Sequence, residues 1–185
     1  IFFCDYSVKV GRRSNKDLFT RLEYLVRMDL IEIPIRESSP DNGLQQAESL
    51  EIINGFVQQQ LASGIPPERI VLAGFSQGGA LSLSAAVKSP VKLGGCICLS
   101  GWALPKQDLG AAVKDSPSKD SPFLFCHGEA DTVVYSSLGP AAAALVTASG
   151  ASDVTLKTYP GMAHSSCPQE EADVLTFLKR VLPPL

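Results

Sequence analysis

Short apolar runs alternate with longer amphipathic stretches along most of this chain. Runs of strand character occupy residues 69–75, 93–100, 122–127 and the more polar 154–159. The clearest amphipathic stretch, residues 44–63, has apolar residues at helical spacing and ends at Gly64, which favours a helix stop. This alternation predicts an α/β fold, with a mostly parallel sheet and helices on both faces. The polar character of residues 154–159 places that strand near a sheet edge.

A final helix is predicted between Ser166 and the Pro183-Pro184 stop. Ser166 and Gln169 have the spacing of a capping box, in which each side chain satisfies a free backbone N–H group. The two glutamates that follow Gln169 suit the positive end of the helix dipole.

Composition limits the domain organisation and the binding partners that are possible for this chain. The chain has 185 residues, 45% of them hydrophobic and 19% charged, which is enough for one sizeable core. We therefore expect a single domain over residues 1–185, of which 1–43 are the hardest to interpret. The net charge of −3 gives no basic field for nucleic acid, and no apolar run is long enough to span a bilayer. Oligomeric state is not indicated.

The number and spacing of the cysteines and histidines do not favour disulfide bonds or a metal site. Five cysteines at irregular spacing do not resemble a disulfide framework, and two histidines are too few for most zinc patterns. A reducing compartment fits this usage best.

One motif suggests chemistry. Gly74-Phe-Ser76-Gln-Gly78 is a G-x-S-x-G pentapeptide that follows a predicted strand and opens a helical pattern, as a nucleophile elbow does. The elbow would expose the Ser76 hydroxyl and leave the Gln77 N–H at a helix N-terminus, where an oxyanion is favoured. A tight turn with an incidental serine has the same sequence, so the partners of Ser76 decide between the two interpretations.

Two histidines could serve as the general base. His164 follows the edge strand and precedes the final helix, so a loop there could bring its ring over Ser76. His127 ends a buried strand and is read as a satisfied structural histidine. We therefore favour His164 as the base.

The acid of a triad should follow an earlier strand and lie before the histidine in the chain. Asp131 has that position, and it would orient the His164 ring and stabilise its charged form. Asp153 reads as a loop residue and Asp173 as a carboxylate on the helix surface.

At these residues the sequence resembles a known family. The segments "GFSQGGALSL" (74–83), "HGEADTVV" (127–134) and "KTYPGMAHSSCPQEEADV" (157–174) are similar to those of eukaryotic acyl-protein thioesterases. These enzymes are a cytosolic branch of the phospholipase/carboxylesterase group of α/β-hydrolases. The resemblance covers about Gly43 to Leu185 in order.

The resemblance implies a serine hydrolase with Ser76 as nucleophile, Asp131 as acid and His164 as base. It implies hydrolysis of palmitoyl thioesters on proteins or of lysophospholipids in the cytoplasm, with transient membrane-surface contact and without metal or cofactor. The family commonly has Trp-Leu-Pro where this chain has "WALP", so Trp102 and Leu104 resemble the apolar lining of the substrate site. A tryptophan that only fills the core after a strand would have the same sequence pattern. Cys167 receives no chemical role.

The first 43 residues depart from the family pattern. Its members have a His-Gly-x-Gly-Asp loop that supplies a second oxyanion N–H, whereas the one His-Gly pair here is 127–128, and Gly11 lacks the pattern around it. N-terminal strands of the sheet are either missing or replaced, with "IFFCDYSVKV" and "DLIEIPI" as the replacement candidates. Two alternatives therefore stand beside the thioesterase: a catalytically impaired hydrolase-like domain that binds acyl chains or proteins, and a carboxylesterase of small esters.

Overall fold

The structure, a computed structural model, describes residues 2–5, 29–32, 42–104 and 109–182. These residues form six strands: β1 (Phe2–Asp5), β2 (Asp29–Glu32), β3 (Val71–Phe75), β4 (Gly95–Leu99), β5 (Phe123–Gly128) and β6 (Val154–Tyr159). They also form five α-helices: α1 (Asn42–Ala62), α2 (Gln77–Lys88), α3 (Leu109–Asp115), α4 (Leu138–Ala148) and α5 (Pro168–Val181).

The six strands form one parallel sheet in the order β2-β1-β3-β4-β5-β6. This confirms the predicted α/β fold, and β6 lies at a sheet edge as its polar pattern predicted. Both replacement candidates contain a strand, β1 in the first and β2 in the second. The start of the chain therefore supplies strands to this sheet. The segment between them, including Gly11, lies outside the described residues.

Alternating side chains of the central strands pack on opposite faces of the sheet. In β3, Leu72 joins the apolar cluster that includes residues of α1, α2, α3 and α4. Its neighbours Val71 and Ala73 join the second cluster, which α5 closes with Val174 and Phe177. Because both faces are covered, the central strands read as continuous apolar runs in the sequence.

Helix ends follow local backbone chemistry, with one difference from the sequence prediction. Helix α1 stops before Gly64, whose φ of +84° is readily adopted only by glycine. The predicted capping box at the start of α5 is wrong. Helix α5 begins at Pro168 with Cys167 as its N-cap and without a side-chain capping bond. Proline suits the first helical position, so Ser166 lies one residue too early to cap. Its buried hydroxyl faces the carboxyl group of Glu170 instead.

No described helix has both the length and the hydropathy that a membrane span requires.

The first turn of α5 buries a carboxyl group. Glu170 is 0% exposed, and the hydroxyl of Ser166 is the side-chain group that faces its carboxyl oxygens. Burial raises the pKa of Glu170 from 4.5 to about 7, because a charged carboxylate is poorly solvated there. The folded state therefore holds a proton on Glu170 at pH values where the unfolded chain has lost it.

This shift predicts that Glu170→Gln stabilises the protein at alkaline pH. Below pH 4.5 the carboxyl is protonated in both states, and as pH rises toward 7 the folded wild type loses stability, since the unfolded chain ionises more easily. The loss reaches up to about 3 kcal/mol at 1.36 kcal/mol per pKa unit. Urea unfolding at pH 5 and pH 8 should show a gain from Glu170→Gln that is larger at pH 8.

Glu51→Gln is the control, because it removes a carboxylate from an exposed position of another helix, α1. A gain from Glu170→Gln that is equal at both pH values, or equal to that of the control, would contradict the analysis.

Candidate active site

Ser76 lies on a strained turn between β3 and α2. Its φ of 56° and ψ of −124° are a backbone conformation that non-glycine residues rarely adopt, and such strain costs about 1–3 kcal/mol. The Ser76 N–H donates to the carbonyl oxygen of Leu99 at 2.8 Å, which ties the turn to the end of β4. The side chain makes no capping bond to α2 and is half-buried. The turn therefore leaves the hydroxyl available to another group.

The glycines around Ser76 make this turn possible. A Cβ on Gly74 would overlap with the carbonyl group of Gly78, and one on Gly79 would lie 2.9 Å from the carbonyl oxygen of Gly74. The start of α2 thus presses directly against the end of β3. The sequence pattern G-x-S-x-G-G satisfies this packing requirement, which is independent of any chemistry.

His164 approaches Ser76 from the loop after β6. Its Nε2 lies 3.0 Å from the Ser76 Oγ, and its ring contacts the Phe75 ring with the centroids 4.7 Å apart. The sequence separation of 88 residues is bridged because β3 and β6 end at the same edge of the parallel sheet.

Asp131 holds the other side of the His164 ring. Its Oδ2 lies 2.8 Å from the His164 Nδ1, and its Oδ1 accepts the N–H groups of Val133 and Val134, each at 2.9 Å. The carboxylate is buried, and an ionised carboxylate only accepts hydrogen bonds. The Nδ1 of His164 therefore carries the proton, which leaves Nε2 with a lone pair facing the hydroxyl of Ser76.

Backbone contacts fasten the loop of Asp131 to the loop of His164. The Ala130 N–H donates to the carbonyl oxygen of Met162 at 3.0 Å, and the Glu129 N–H donates to that of Tyr159, also at 3.0 Å. A Cβ on Gly128 would overlap with the Met162 carbonyl oxygen, so the two loops touch at their backbones. The separation between Asp131 and His164 is thus set by main-chain bonds.

The N-terminus of α2 offers a donor for an anion at Ser76. The first N–H groups of a helix have no partner within it, and Gln77 is the first residue of α2. Strand β1 lies directly beside β3 and ends, at Asp5, at the same edge of the sheet. The residues after Asp5, through 28, lie outside the described part of the chain.

The remaining predicted residues occupy distinct positions. Leu104 is 2% exposed within the apolar core, while Trp102 is half-buried and packs against that core. Their contact with substrate stays a prediction. Asp153 pairs with Arg180 at 2.6 Å, and Asp173 accepts the Tyr159 hydroxyl at 3.1 Å, so neither carboxylate is held against His164.

His127 differs in one respect from its sequence interpretation. It is 1% exposed, and its Nε2 bonds to the Val134 carbonyl oxygen at 3.0 Å, consistent with a structural histidine. However, its Nδ1 has no partner among the described residues, so the satisfied histidine that the sequence predicted is found at Nε2 only. Its Nε2 also lies 3.4 Å from the Asp131 Oδ2.

Sequence reasoning missed the backbone donors to Asp131, which come from two valines. No side-chain pattern marks a backbone N–H, although the short spacing from Asp131 to Val133 and Val134 is typical of a turn closed on an aspartate side chain. Within the described ranges, no three of the residues His, Cys, Asp and Glu lie where they could bind a metal ion.

Comparison with known proteins agrees with this geometry. Residues 33–182 match the family model described as Phospholipase/Carboxylesterase. The chain belongs to the phospholipase/carboxylesterase family. The match begins before Gly43, where the resemblance in the sequence began, and includes all three residues of the hydrogen-bonded chain.

Relatives within the family carry a more specific name. Acyl-protein thioesterase 1 of Gibberella zeae is 44% identical over 137 residues, which cover 74% of this chain and 58% of that protein. Acyl-protein thioesterase 1 of Kluyveromyces lactis is 42% identical over 136 residues, which cover 72% and 59%. The resemblance to acyl-protein thioesterases is thereby confirmed. The chain spans less than two thirds of the length of these relatives.

Solved structures with the same fold include Arabidopsis thaliana SOBER1, which has a TM-score of 0.77 and 25% identity over 98% of this chain and 97% of that one. Zea mays acyl-protein thioesterase 2 has a TM-score of 0.73 and 22% identity over 98% and 92%. These similarities support the α/β-hydrolase architecture of the phospholipase/carboxylesterase family.

The close packing at the turn predicts that Gly74→Ala disrupts the fold. The added methyl group would overlap with the backbone of Gly78, which cannot move without shifting α2. We expect the free energy of unfolding to fall by about 3 kcal/mol or more, as in strongly overpacked cores. Urea unfolding measures this difference.

The matched control is Gly55→Ala, at an exposed position of α1 where a Cβ meets nothing within 4 Å. It should raise the free energy of unfolding by up to about 1 kcal/mol, because alanine favours helix more than glycine does. Equal effects of the two substitutions would refute the packing argument.

Proposed function

We propose that this chain is a serine hydrolase of acyl thioesters or esters, and specifically an acyl-protein thioesterase. The observation that carries the proposal is the continuous hydrogen-bonded chain Ser76–His164–Asp131, with distances of 3.0 Å and 2.8 Å. A hydroxyl becomes a useful nucleophile when a neighbouring base removes its proton and a third group orients that base. The strained turn, the buried acid and the family membership support the same reaction class.

The first half of the proposed reaction transfers the acyl group to the enzyme. The Ser76 Oγ attacks the carbonyl carbon of the substrate while the His164 Nε2 takes the hydroxyl proton. The resulting oxyanion accepts the Gln77 N–H at the positive end of the α2 dipole. When the tetrahedral intermediate collapses, the carbon–sulfur or carbon–oxygen bond breaks, and His164 returns the proton to the departing thiol or alcohol.

The second half releases the acid. His164 removes a proton from a water molecule, whose oxygen attacks the acyl carbon on Ser76 and forms a second oxyanion at the same place. Collapse of this intermediate breaks the bond to Ser76 and returns the proton to its Oγ. Throughout the cycle, Asp131 stabilises the charged imidazolium and keeps the ring in the required tautomer. None of these steps requires a metal or a cofactor.

The relatives and the apolar residues that follow β4 support a substrate with an acyl chain. The relatives that match most of this chain are named acyl-protein thioesterase 1, which supports acylated proteins as substrates. Palmitoyl thioesters on protein cysteines and lysophospholipids share the long acyl chain that an apolar cleft would bind. Trp102 is the proposed contact for that chain, since it is half-buried, follows the end of β4 and packs on the core cluster to which Leu104 belongs. The buried free thiols of the central strands fit the reducing environment of the cytoplasm.

A catalytically impaired acyl-binding domain is the second candidate. One observation favours it: the His-Gly-x-Gly-Asp pattern that supplies a second oxyanion donor in the family is absent from the sequence. Loss of one such donor lowers kcat by about 10²–10³-fold. This candidate predicts saturable binding of long acyl chains with negligible turnover of thioesters and short esters alike.

The first test is covalent labelling by an alkyl fluorophosphonate. The reagent should modify Ser76, because His164 activates its hydroxyl, and Ser76→Ala should abolish both labelling and thioester hydrolysis. Peptide mass spectrometry locates the label. Ser137→Ala is the control, since Ser137 is exposed and caps no helix through its side chain, so the label should be retained. Labelling that survives Ser76→Ala would contradict the assignment.

The second test separates a thioesterase from an esterase of small substrates. A long apolar site contributes binding energy along the acyl chain in the transition state, so kcat/KM for a palmitoyl thioester should exceed that for an acetyl thioester by at least tenfold. Trp102→Ala should reduce kcat/KM for the palmitoyl substrate more than for the acetyl one. Equal kcat/KM values for the two substrates would instead favour the small-ester carboxylesterase.

A further inference from the structure

A second histidine lies against the acid of the proposed triad. His127 is the fifth residue of β5, and its side chain is 1% exposed. Its Nε2 lies 3.0 Å from the Val134 carbonyl oxygen and 3.4 Å from the Asp131 Oδ2. The same Oδ2 is 2.8 Å from the His164 Nδ1, so two histidine rings converge on one carboxylate oxygen.

The neighbours of His127 determine its tautomer. A carbonyl oxygen only accepts hydrogen bonds, so the Nε2 that faces Val134 carries a proton. The positive end of that N–H group also faces Asp131. The Nδ1 on the other side of the ring has no partner among the described residues and packs against Gly139 of α4, where a Cβ would overlap with it. The ring therefore turns its Nε2–H donor toward the loop of Asp131.

The His127 N–H bonds to the peptide group of Val134, and the same residue also bonds to Asp131. The carbonyl oxygen of Val134 accepts the His127 N–H, while the N–H of Val134 donates to the Asp131 Oδ1 at 2.9 Å. With Oδ1 fixed by this bond and by the bond from Val133, the carboxylate can present only Oδ2 to His164. Because the carboxylate is buried, its orientation is determined by hydrogen bonds to the protein and not by bulk water.

We propose that His127 is a positioning residue that aims the carboxylate of Asp131 at His164 by donating its Nε2–H to the loop of Asp131. The proposal rests on the proposed roles of Ser76, His164 and Asp131. It differs from simple space filling, because it depends on one N–H group and not on the volume of the ring.

Two substitutions separate the N–H group from the volume. His127→Leu places a side chain of similar size at this position and removes the donor. His127→Gln provides an amide N–H at about the same distance from the backbone as Nε2. We expect His127→Leu to lower kcat for a palmitoyl thioester by about tenfold to a hundredfold, the effect that losing a partner which orients a metal ligand has in metalloenzymes. KM should change little, and His127→Gln should restore kcat to within about threefold of the wild type.

Three kinetic results would overturn the proposal. The first is a folded His127→Leu protein whose kcat is within threefold of that of the wild type. The second is an equal loss of kcat in the Leu and Gln variants. The third is a loss confined to KM. Thermal unfolding of each variant establishes that the compared proteins are folded.

A spectroscopic measurement judges His127 without relying on activity. In the Ser76→Ala protein, the proton on the His164 Nδ1 should give a low-field resonance in the proton NMR spectrum, because it bonds to Asp131. This resonance should shift or broaden in Ser76→Ala/His127→Leu and return in Ser76→Ala/His127→Gln. An unchanged resonance in the Leu variant would overturn the positioning role, whereas absence of turnover in the wild type would overturn the proposed function instead.

If His127→Leu fails to fold, the wild-type tautomer still decides the matter. Nitrogen-15 NMR should find a proton on the Nε2 of His127. A ring without a proton on Nε2 would have no donor facing Val134 and would overturn the proposal.

Discussion

Parallel pairing of β3, β4, β5 and β6 is the constraint on which the candidate site depends. In a parallel sheet all carboxyl ends lie at one edge, so the residues that follow β3, β5 and β6 meet there although they are far apart in the chain. Ser76, Asp131 and His164 each follow one of these strands. The apolar residues that bury both faces of the sheet stabilise this strand order. The strand order therefore determines which polar side chains meet at the edge of the sheet.

The buried carboxylate of Asp131 makes a second demand on the structure. A charge removed from water is stable only when hydrogen bonds replace its solvation. Asp131 meets this demand with two backbone N–H groups on Oδ1 and the His164 ring on Oδ2. The same bonds that stabilise the charge also fix its direction. The hydrogen bonds that stabilise the loop therefore also align the proposed triad. For this reason a buried histidine that bonds to the loop can affect the proposed reaction.

The sequence predicted the layered fold and the residues of the candidate site because both depend on side-chain pattern. Apolar runs identified β3 to β6, and the polar pattern of β6 identified its place at the edge. What the pattern could not show depends on the backbone. The helix start at Cys167 follows from the geometry of Pro168, and the donors to Asp131 are main-chain N–H groups. The orphaned Nδ1 of His127 arises from the packing of α4 against β5, which no local pattern encodes.

The proposed covalent intermediate gives the most direct test of this account. The full chain would be mixed with a palmitoyl thioester, quenched in acid during turnover, digested and examined by mass spectrometry. If Ser76 is the nucleophile, the peptide that contains it should carry a palmitoyl group, and no peptide should carry one when Ser76 is alanine. Turnover accompanied by acylation at another residue, such as the half-buried Cys167 three residues after His164, would contradict the assignment of Ser76 as the nucleophile.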